Sequence, residues 1–580
     1  MSDQFNRRRF LKMAGLGTVG FASGVYANRE NDDGLQEDHG TGRGMQLQRT
    51  DWQVFDAHCM VGRHLKLGPG DLYTADHLLS EMNHYGIAEA LVVDSLSREN
   101  HPFDGNRRIM KTTDRHPRLH RAWSVLPTVL EETGRTSDEF VKEMASHDVR
   151  ALMLYPNQYF FNLSDWNIDQ LMESVSKRNI PVFINPSEAN GRGSADATDW
   201  QGIIDLCRRW PKLQVVISEG RIRRSQRLLY KAFDRCENLH LELSGYWLHR
   251  GIEYITERWG AERLVFGSGW PKYGQHMTLV NLTTAQIDDA DKKKIAGDNL
   301  RKLLGWNTPV PDIKVNFSKP ADDFVAYGRT GIRPEKMTFY DVHGHLGEHN
   351  AHYHVPDARV EKVVADLHHY GLDKVCVFSF SGVYSDEQFG NDIIAGAAKT
   401  YPDSFVGFTL LNPLRGKEEM LKELERTNKK GLRGIKLIPT YHEYPVDGDL
   451  LEVACQWAHQ HRQIIINHDW GSAAHIKALV SKYPNACFVA GHSYRFKEYR
   501  DVFKKYPNLF ICSCPLLTPG ACEEMVQVVG ADRLMFGSDL LDLPIGWGLG
   551  PILFARISAE EKMLILSDNL RKILSEYSLR

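Results

Sequence analysis

Five side chains in the second half of this 580-residue chain have the types and spacing that suit a metal ion. His343 and His345 form a His-x-His pair, His468 and His492 each close an apolar, β-branched run, and Asp539 follows Leu534-Met535-Phe536. Alternate residues of an extended chain face the same way, so both imidazoles of the pair can reach one ion. Imidazole nitrogen with carboxylate oxygen is a donor set for Zn2+ first, with Mn2+ and Fe2+ as alternatives. Lys436 belongs to the same series, within Gly434-Ile435-Lys436-Leu437. A single histidine at the end of an apolar run is as readily a hydrogen-bonded structural residue. It is the joint placement that points to a shared site.

The elements that must position these groups are short strands alternating with longer amphipathic stretches. In the second half the strands are expected at Phe339-Tyr340, 375–377, 405–408, 434–437, 464–466, 488–490, 509–511 and 534–536, with His343 and His345 just after the first. Eight such strands with helical patterns between them predict a (β/α)8 barrel, whose chemistry sits at the C-terminal ends of the strands. The first half carries the same pattern from Trp52 to Trp306. The two halves also share sequence. Asp298-Asn299-Leu300-Arg301-Lys302-Leu303-Leu304 returns as Asp568-Asn569-Leu570-Arg571-Lys572-Ile573-Leu574, and Arg263 to Gly269 returns at the same displacement as Arg533 to Asp539. Phe55-Asp56-Ala57-His58-Cys59-Met60 matches Tyr340-Asp341-Val342-His343-Gly344-His345 at a slightly larger one. The fold class expected is therefore α/β, two tandem (β/α)8 TIM-barrel-like domains at 51–306 and 337–578, joined by a proline-rich linker at 307–336.

The first copy lacks the constellation. Aligned by strand, Met60 stands for the second histidine, Met153 for the lysine, Pro186 for the strand-5 histidine, Glu219 for the strand-6 histidine and Gly269 for the aspartate. Only His58 remains, and one imidazole cannot hold a divalent ion.

The second copy resembles the amidohydrolase superfamily, specifically the amidohydrolase-related branch of decarboxylases, lactonases and hydratases; the Gly267-Ser268-Gly269-Trp270-Pro271 run of the first copy is similar to that family's motif with its aspartate removed. The resemblance implies that His343, His345, His468 and Asp539 bind the ion, that His492 orients or polarises water or substrate, and that Asp539 accepts the proton of a metal-activated water. It leaves Lys436 open between a carboxylated metal bridge and an ammonium aimed at a substrate carboxylate or a neighbouring acid. Tyr441, Trp470 and Arg495, in the loops after strands 4, 5 and 6, are substrate-binding candidates; Arg495 either grips a carboxylate or is a solvated loop charge. The activity expected is lactone or ester hydrolysis of a small polar organic molecule, with non-oxidative decarboxylation or hydration as alternatives and a non-catalytic binding or scaffold protein as the rival class. Relatives in this branch are often homodimers, so a tandem fusion can make an intramolecular pseudo-dimer. Arg221, Arg223, Arg224 and Arg227 are then candidates to reach the second site, against the plainer reading of a basic solvated face.

Composition narrows the partners. The charges nearly cancel, 71 basic against 74 acidic, which leaves no basic excess for a nucleic-acid partner. The nine cysteines include no C-x-x-C pair and read as small core hydrophobes. Residues 1–27, with Asn6-Arg7-Arg8-Arg9-Phe10-Leu11-Lys12 before a glycine-rich apolar run, resemble a twin-arginine export signal, and 28–50 reads as a polar tether. The expectation is a periplasmic protein with no stable membrane span.

Overall fold

A computed structural model describes residues 52–577, apart from 69, 187–197, 219–221, 223–224, 307–316, 318 and 351. The export segment and tether, Glu219 and Arg221, Arg223 and Arg224 all lie outside the described residues. Among the described residues no helix is long and apolar enough to cross a membrane.

The second half forms one eight-stranded parallel sheet in sequence order: β10 (Phe339–Leu346), β11 (Leu372–Ser379), β12 (Phe405–Leu410), β13 (Gly434–Leu437), β14 (Ile464–Asn467), β15 (Cys487–Ala490), β16 (Leu509–Cys512) and β17 (Leu534–Met535). It closes on itself, because Val342 N–H donates to Phe536 O at 2.9 Å and Gly344 bridges to Leu540. The first half is built likewise from β1 (Val54–Val61), β2 (Ile87–Asp94), β3 (Leu119–Arg121), β4 (Trp123–Ser124), β5 (Leu152–Leu154), β6 (Val182–Ile184), β7 (Val215–Ile217), β8 (Leu239–Glu242) and β9 (Leu264–Val265). There β3 pairs with β2 while β4 pairs with β5, so the third strand of the barrel is split at Ala122. Ala122 N–H still donates to Val92 O at 2.9 Å, and eight strand positions remain.

Two expectations need correcting. The histidine pair lies inside β10, not after it: the strand runs on to Leu346, with a register shift between Asp341 and Gly344. Such an irregularity re-aims side chains, and the same shift recurs between Asp56 and Cys59 in β1. The second correction concerns residues 307–336, where the prolines flank a helix, Asp323–Thr330. Its start is capped by the Asp322 carboxylate, which accepts from Val325 N–H at 2.8 Å, and its end by Gly331 at φ 69°. Thr283 Oγ1 donates to Gly328 O at 3.1 Å, Arg329 donates to the carbonyl of His84, and Lys562 pairs with Asp322 at 2.7 Å, so this helix is packed between the two barrels.

The barrels meet mainly through helix Gln275–Thr284 of the first and helix Ile545–Leu553 of the second, which are equivalent in the repeat. Other contacts come in equivalent pairs. His84 Nε2 lies 2.7 Å from Phe554 O and His369 Nε2 lies 2.8 Å from Thr284 O. Arg556 pairs with Glu81, and Gln286, at the matching position, donates to Asp366 at 2.7 Å. All nine cysteines are buried and free.

Candidate metal centre

The five side chains singled out in the second half converge at one mouth. Ligand atoms of His343, His345 and Asp539 lie within 4.8 Å of one another, and so do those of His343, His468 and His492. Individual separations are shorter: 2.9 Å from His345 Nε2 to Asp539 Oδ1, 3.5 Å from His343 Nε2 to the same oxygen, and 3.2 Å between the Nε2 atoms of His468 and His492. An ion about 2.1 Å from each nitrogen or oxygen ligand holds those atoms roughly 3–4 Å apart. The spacing and the donor types both fit a divalent cation.

The surroundings prepare the donors. The Nδ1 of His343 lies 3.1 Å from Gly491 O and that of His492 lies 3.3 Å from Cys514 O. A ring nitrogen bonded to a carbonyl must carry the proton, which leaves each Nε2 with its lone pair turned to the centre. Burial depresses the imidazoles of His343 and His468 well below their ordinary value and brings His492 to about 4, so all three rings are neutral near pH 7 and free to offer a lone pair. Burial works to raise Asp539, but the imidazoles of His343 and His345 outweigh it and hold this carboxyl well below the usual range. The Cys514 thiol donates to its other oxygen at 3.5 Å.

Beneath the ligands lies a frame that sequence reasoning did not assign. Asp341 accepts the His343 N–H at 2.8 Å, the Ser538 N–H at 3.2 Å and the Ser538 hydroxyl, tying the first strand to the last. Burial pushes its carboxyl up to about 7. The signal was present in the sequence: Asp56 and Ser268 of the first copy make the same tie, hydroxyl to carboxylate at 2.6 Å. Thr440 was also missed; its hydroxyl lies 3.2 Å from His468 Nδ1.

Lys436 is fully buried behind the centre. Its Nζ sits 3.1 Å from His343 Nε2 and 4.2 Å from the centroid of the Phe378 ring, and burial brings its pKa down to about 7. It does not line the cavity of about 510 Å³ that opens onto His345, His468, His492 and Asp539. Tyr441, Trp470 and Arg495 do line it. Tyr441 is half exposed at the rim. Trp470 forms a wall, fully buried, its indole N–H donated to Val489 O at 2.9 Å. Arg495 is held by Asp469 at 2.9 Å and Glu498 at 2.8 Å.

In the first barrel Met60, Met153 and Pro186 are buried at the corresponding positions. Another residue unforeseen from the sequence, Glu242 at the end of β8, occupies that mouth, 3.5 Å from His58 Nδ1 and bonded to Ser218 at 3.1 Å and Ser244 at 2.7 Å. Cys512 is its counterpart in the second barrel, 3.7 Å from His343 Nδ1. Arg227 reaches the loop after β10, donating to Asn350 O at 2.8 Å.

A parallel eight-stranded barrel with histidines on strands 1, 5 and 6 and an aspartate after strand 8 defines a class of metal-dependent TIM-barrel enzymes. The family model described as "Amidohydrolase" matches residues 90–306 and 340–575, more than half of the chain, and the protein belongs to that family. Solved structures with a similar fold include 5-carboxyvanillate decarboxylase from Sphingomonas paucimobilis, at 13% identity, covering 44% of this chain and 99% of that one with a TM-score of 0.35. The 5-carboxyvanillate decarboxylase from Novosphingobium aromaticivorans, complexed with manganese, is similar at 18% identity over 37% of this chain and 79% of that one, TM-score 0.30. A TIM-barrel protein from Bordetella bronchiseptica matches at 17% identity over 44% and 98%, TM-score 0.35. No curated protein matches the chain in sequence.

Proposed function

We propose that the protein is an exported hydrolase whose C-terminal barrel opens a lactone or ester bond in a small polar organic substrate, with a divalent ion, Zn2+ first among the candidates, held by His343, His345, His468 and Asp539. The observation that carries this reading is the convergence of the imidazoles of His343, His345 and His468 with the carboxylate of Asp539 beside an open cavity. When bound, the ion supplies Lewis acidity toward a carbonyl oxygen or a water. The chain supplies the rest. Asp539, anionic and 7% exposed, accepts the proton of the attacking water. His492, its Nδ1 anchored on the Cys514 carbonyl, presents Nε2 to water or to the developing oxyanion. Tyr441 and Arg495 meet the substrate at the rim, and Trp470 excludes water from one side.

One observation favours a second reading, non-oxidative decarboxylation: Tyr384, Tyr441, Tyr494 and Trp547 line the cavity and suit a planar carboxylated ring. Elemental analysis of the full chain, followed by a panel of lactones, esters and aromatic carboxylates, tests both. About one ion per chain with ring opening supports the hydrolase; release of CO2 replaces it with the decarboxylase; a metal-free protein that turns over nothing removes both.

The reciprocal contacts His84 with Phe554 and His369 with Thr284 support a further part of the reading, that the two barrels are an internal dimer in which one partner has given up its metal site. Export is read from the sequence, from Arg7 and Arg8 with Phe10-Leu11-Lys12 and the short apolar run that follows. Replacing both arginines by lysine should trap the chain in the cytoplasm, and unchanged periplasmic yield would remove the twin-arginine route.

A further inference from the structure

Trp547, on helix Ile545–Leu553, lines the cavity with 5% of its surface exposed. The other barrel packs against it. Trp247 meets the Trp547 ring edge-on with centroids 4.6 Å apart and planes at 61°, and Tyr273 meets Trp247 at 4.9 Å and 84°. These rings share one apolar cluster with Met277, Leu543 and Cys514, which continues from the N-terminal barrel into the cavity wall. A backbone tie holds the contact: Gly274 N–H donates to Leu517 O at 2.7 Å, two residues beyond the cavity-lining Pro515.

The contact is one-sided in an interface that is otherwise reciprocal. At the displacement relating the two copies, Trp247, Tyr273 and Met277 correspond to Leu517, Leu543 and Trp547. Gly274 corresponds to Pro544, which has no N–H with which to return the bond. Of the three rings only Trp547 lines the cavity, and Trp247 stands directly behind it. Edge-to-face aromatic pairs fix ring orientation as well as burying area.

We infer that the N-terminal barrel sets the substrate selectivity of the other barrel, with Trp247 and Tyr273 acting as positioning residues that hold Trp547 as a rigid wall. This rests on the reading of the C-terminal barrel as the hydrolytic one. Loss of Trp247 opens space behind Trp547, and loss of Tyr273 removes the ring that backs Trp247, so in both cases the wall yields to a bulkier substrate while the reacting groups stay in place. The effect belongs in KM and not in kcat.

The test uses full-length protein, with phenyl acetate and 2-naphthyl acetate as the small and large substrates. Trp247→Leu and Tyr273→Leu should each shift the ratio of the two KM values by about 10-fold, with kcat within about twofold and metal content unchanged. Trp547→Leu should shift the same ratio, and the double variant Trp247→Leu/Trp547→Leu should go no further than Trp547→Leu alone, as coupled residues do. An unchanged ratio, or effects that add, overturns the inference. A second arm needs no turnover: crystal structures of the full-length protein and of Trp247→Leu should show the Trp547 ring displaced toward the vacated space, and an unmoved ring overturns the inference. Unsubstituted protein that hydrolyses neither ester counts against the hydrolase reading alone, and the crystallographic comparison then decides the wall.

Discussion

Asp539 and Gly269 occupy the same turn of their barrels, at φ 59° and 75°. The left-handed conformation is one that glycine and aspartate both tolerate, so the backbone of the site survives in the first copy while its carboxylate does not. Replacing Asp539 by Asn keeps the volume and removes the charge. We expect kcat/KM to fall by at least ~100-fold, the lower end of what a positioned acid or base contributes, with the circular dichroism spectrum unchanged; near-normal turnover with metal retained would place the proton acceptor elsewhere. The ligands divide the same way. His343→Ala in the full chain should lose the ion by elemental analysis, whereas His58→Ala should keep it, because His58 faces Glu242, which Ser218 and Ser244 hold, and among the described residues His58 belongs to no cluster that could hold a metal. Metal lost from the His58 variant would contradict the division of labour between the barrels. At this scale the sequence displayed the ligands because each lies within or just after an apolar strand run. It concealed Glu242, which fills the first mouth from strand 7 and so lies outside any position-by-position comparison of ligands, and the clamping of Arg495 by Asp469 and Glu498, which depends on loop geometry.

Elements were legible where periodicity was strong. All eight strands of the second barrel fall on the runs of apolar residues that announce them, and parallel strands buried on both faces must read so. The helix Asp323–Thr330 was not, because its eight residues sit among prolines and offer too little periodicity to show an apolar face. The pairing of helices Gln275–Thr284 and Ile545–Leu553 was also hidden, since it depends on glycines whose role is to be absent. A Cβ on Gly550 would lie 2.7 Å from His276 O and 2.9 Å from its carbonyl carbon, both backbone atoms that cannot swing aside. Gly550→Ala should therefore cost about 1–3 kcal/mol, the usual price of overpacking, read as a lower denaturation midpoint. Gly396, in helix Glu387–Thr400, has nothing within 4 Å of such a Cβ. There alanine should instead stabilise by about 0.5–1 kcal/mol through helix propensity. If the two substitutions behave alike, the helix pair is looser than its geometry states.

The whole molecule is held by groups that respond to acid. Burial lowers His84 to about 4 and His276 to about 3, one bonded to Phe554 across the barrel contact and the other on the helix that makes that contact. In the unfolded chain both titrate near the ordinary 6.5, so between that value and about 4 the unfolded state binds more protons and stability falls as pH falls. The melting temperature of the full chain should decline through this window, and His276→Gln should flatten the decline; a slope unchanged by that substitution would assign the acid sensitivity to other groups. Expressing residues 337–580 alone tests the contact more severely. Helix Ile545–Leu553 is buried along all nine residues, including Trp547, Leu549 and Ile552, and the cut would expose that face to water. Exposed apolar patches of this kind drive association, and a surface shaped for its own equivalent is suited to meeting a second copy of itself. Residues 337–580 alone should therefore sediment as a dimer or larger species, with weakened turnover because Trp247 and Tyr273 no longer back the cavity wall. A fragment that sediments as a monomer and keeps full activity would mean that the silent barrel neither covers nor shapes its neighbour, and its retention in the chain would need a separate ligand to explain it.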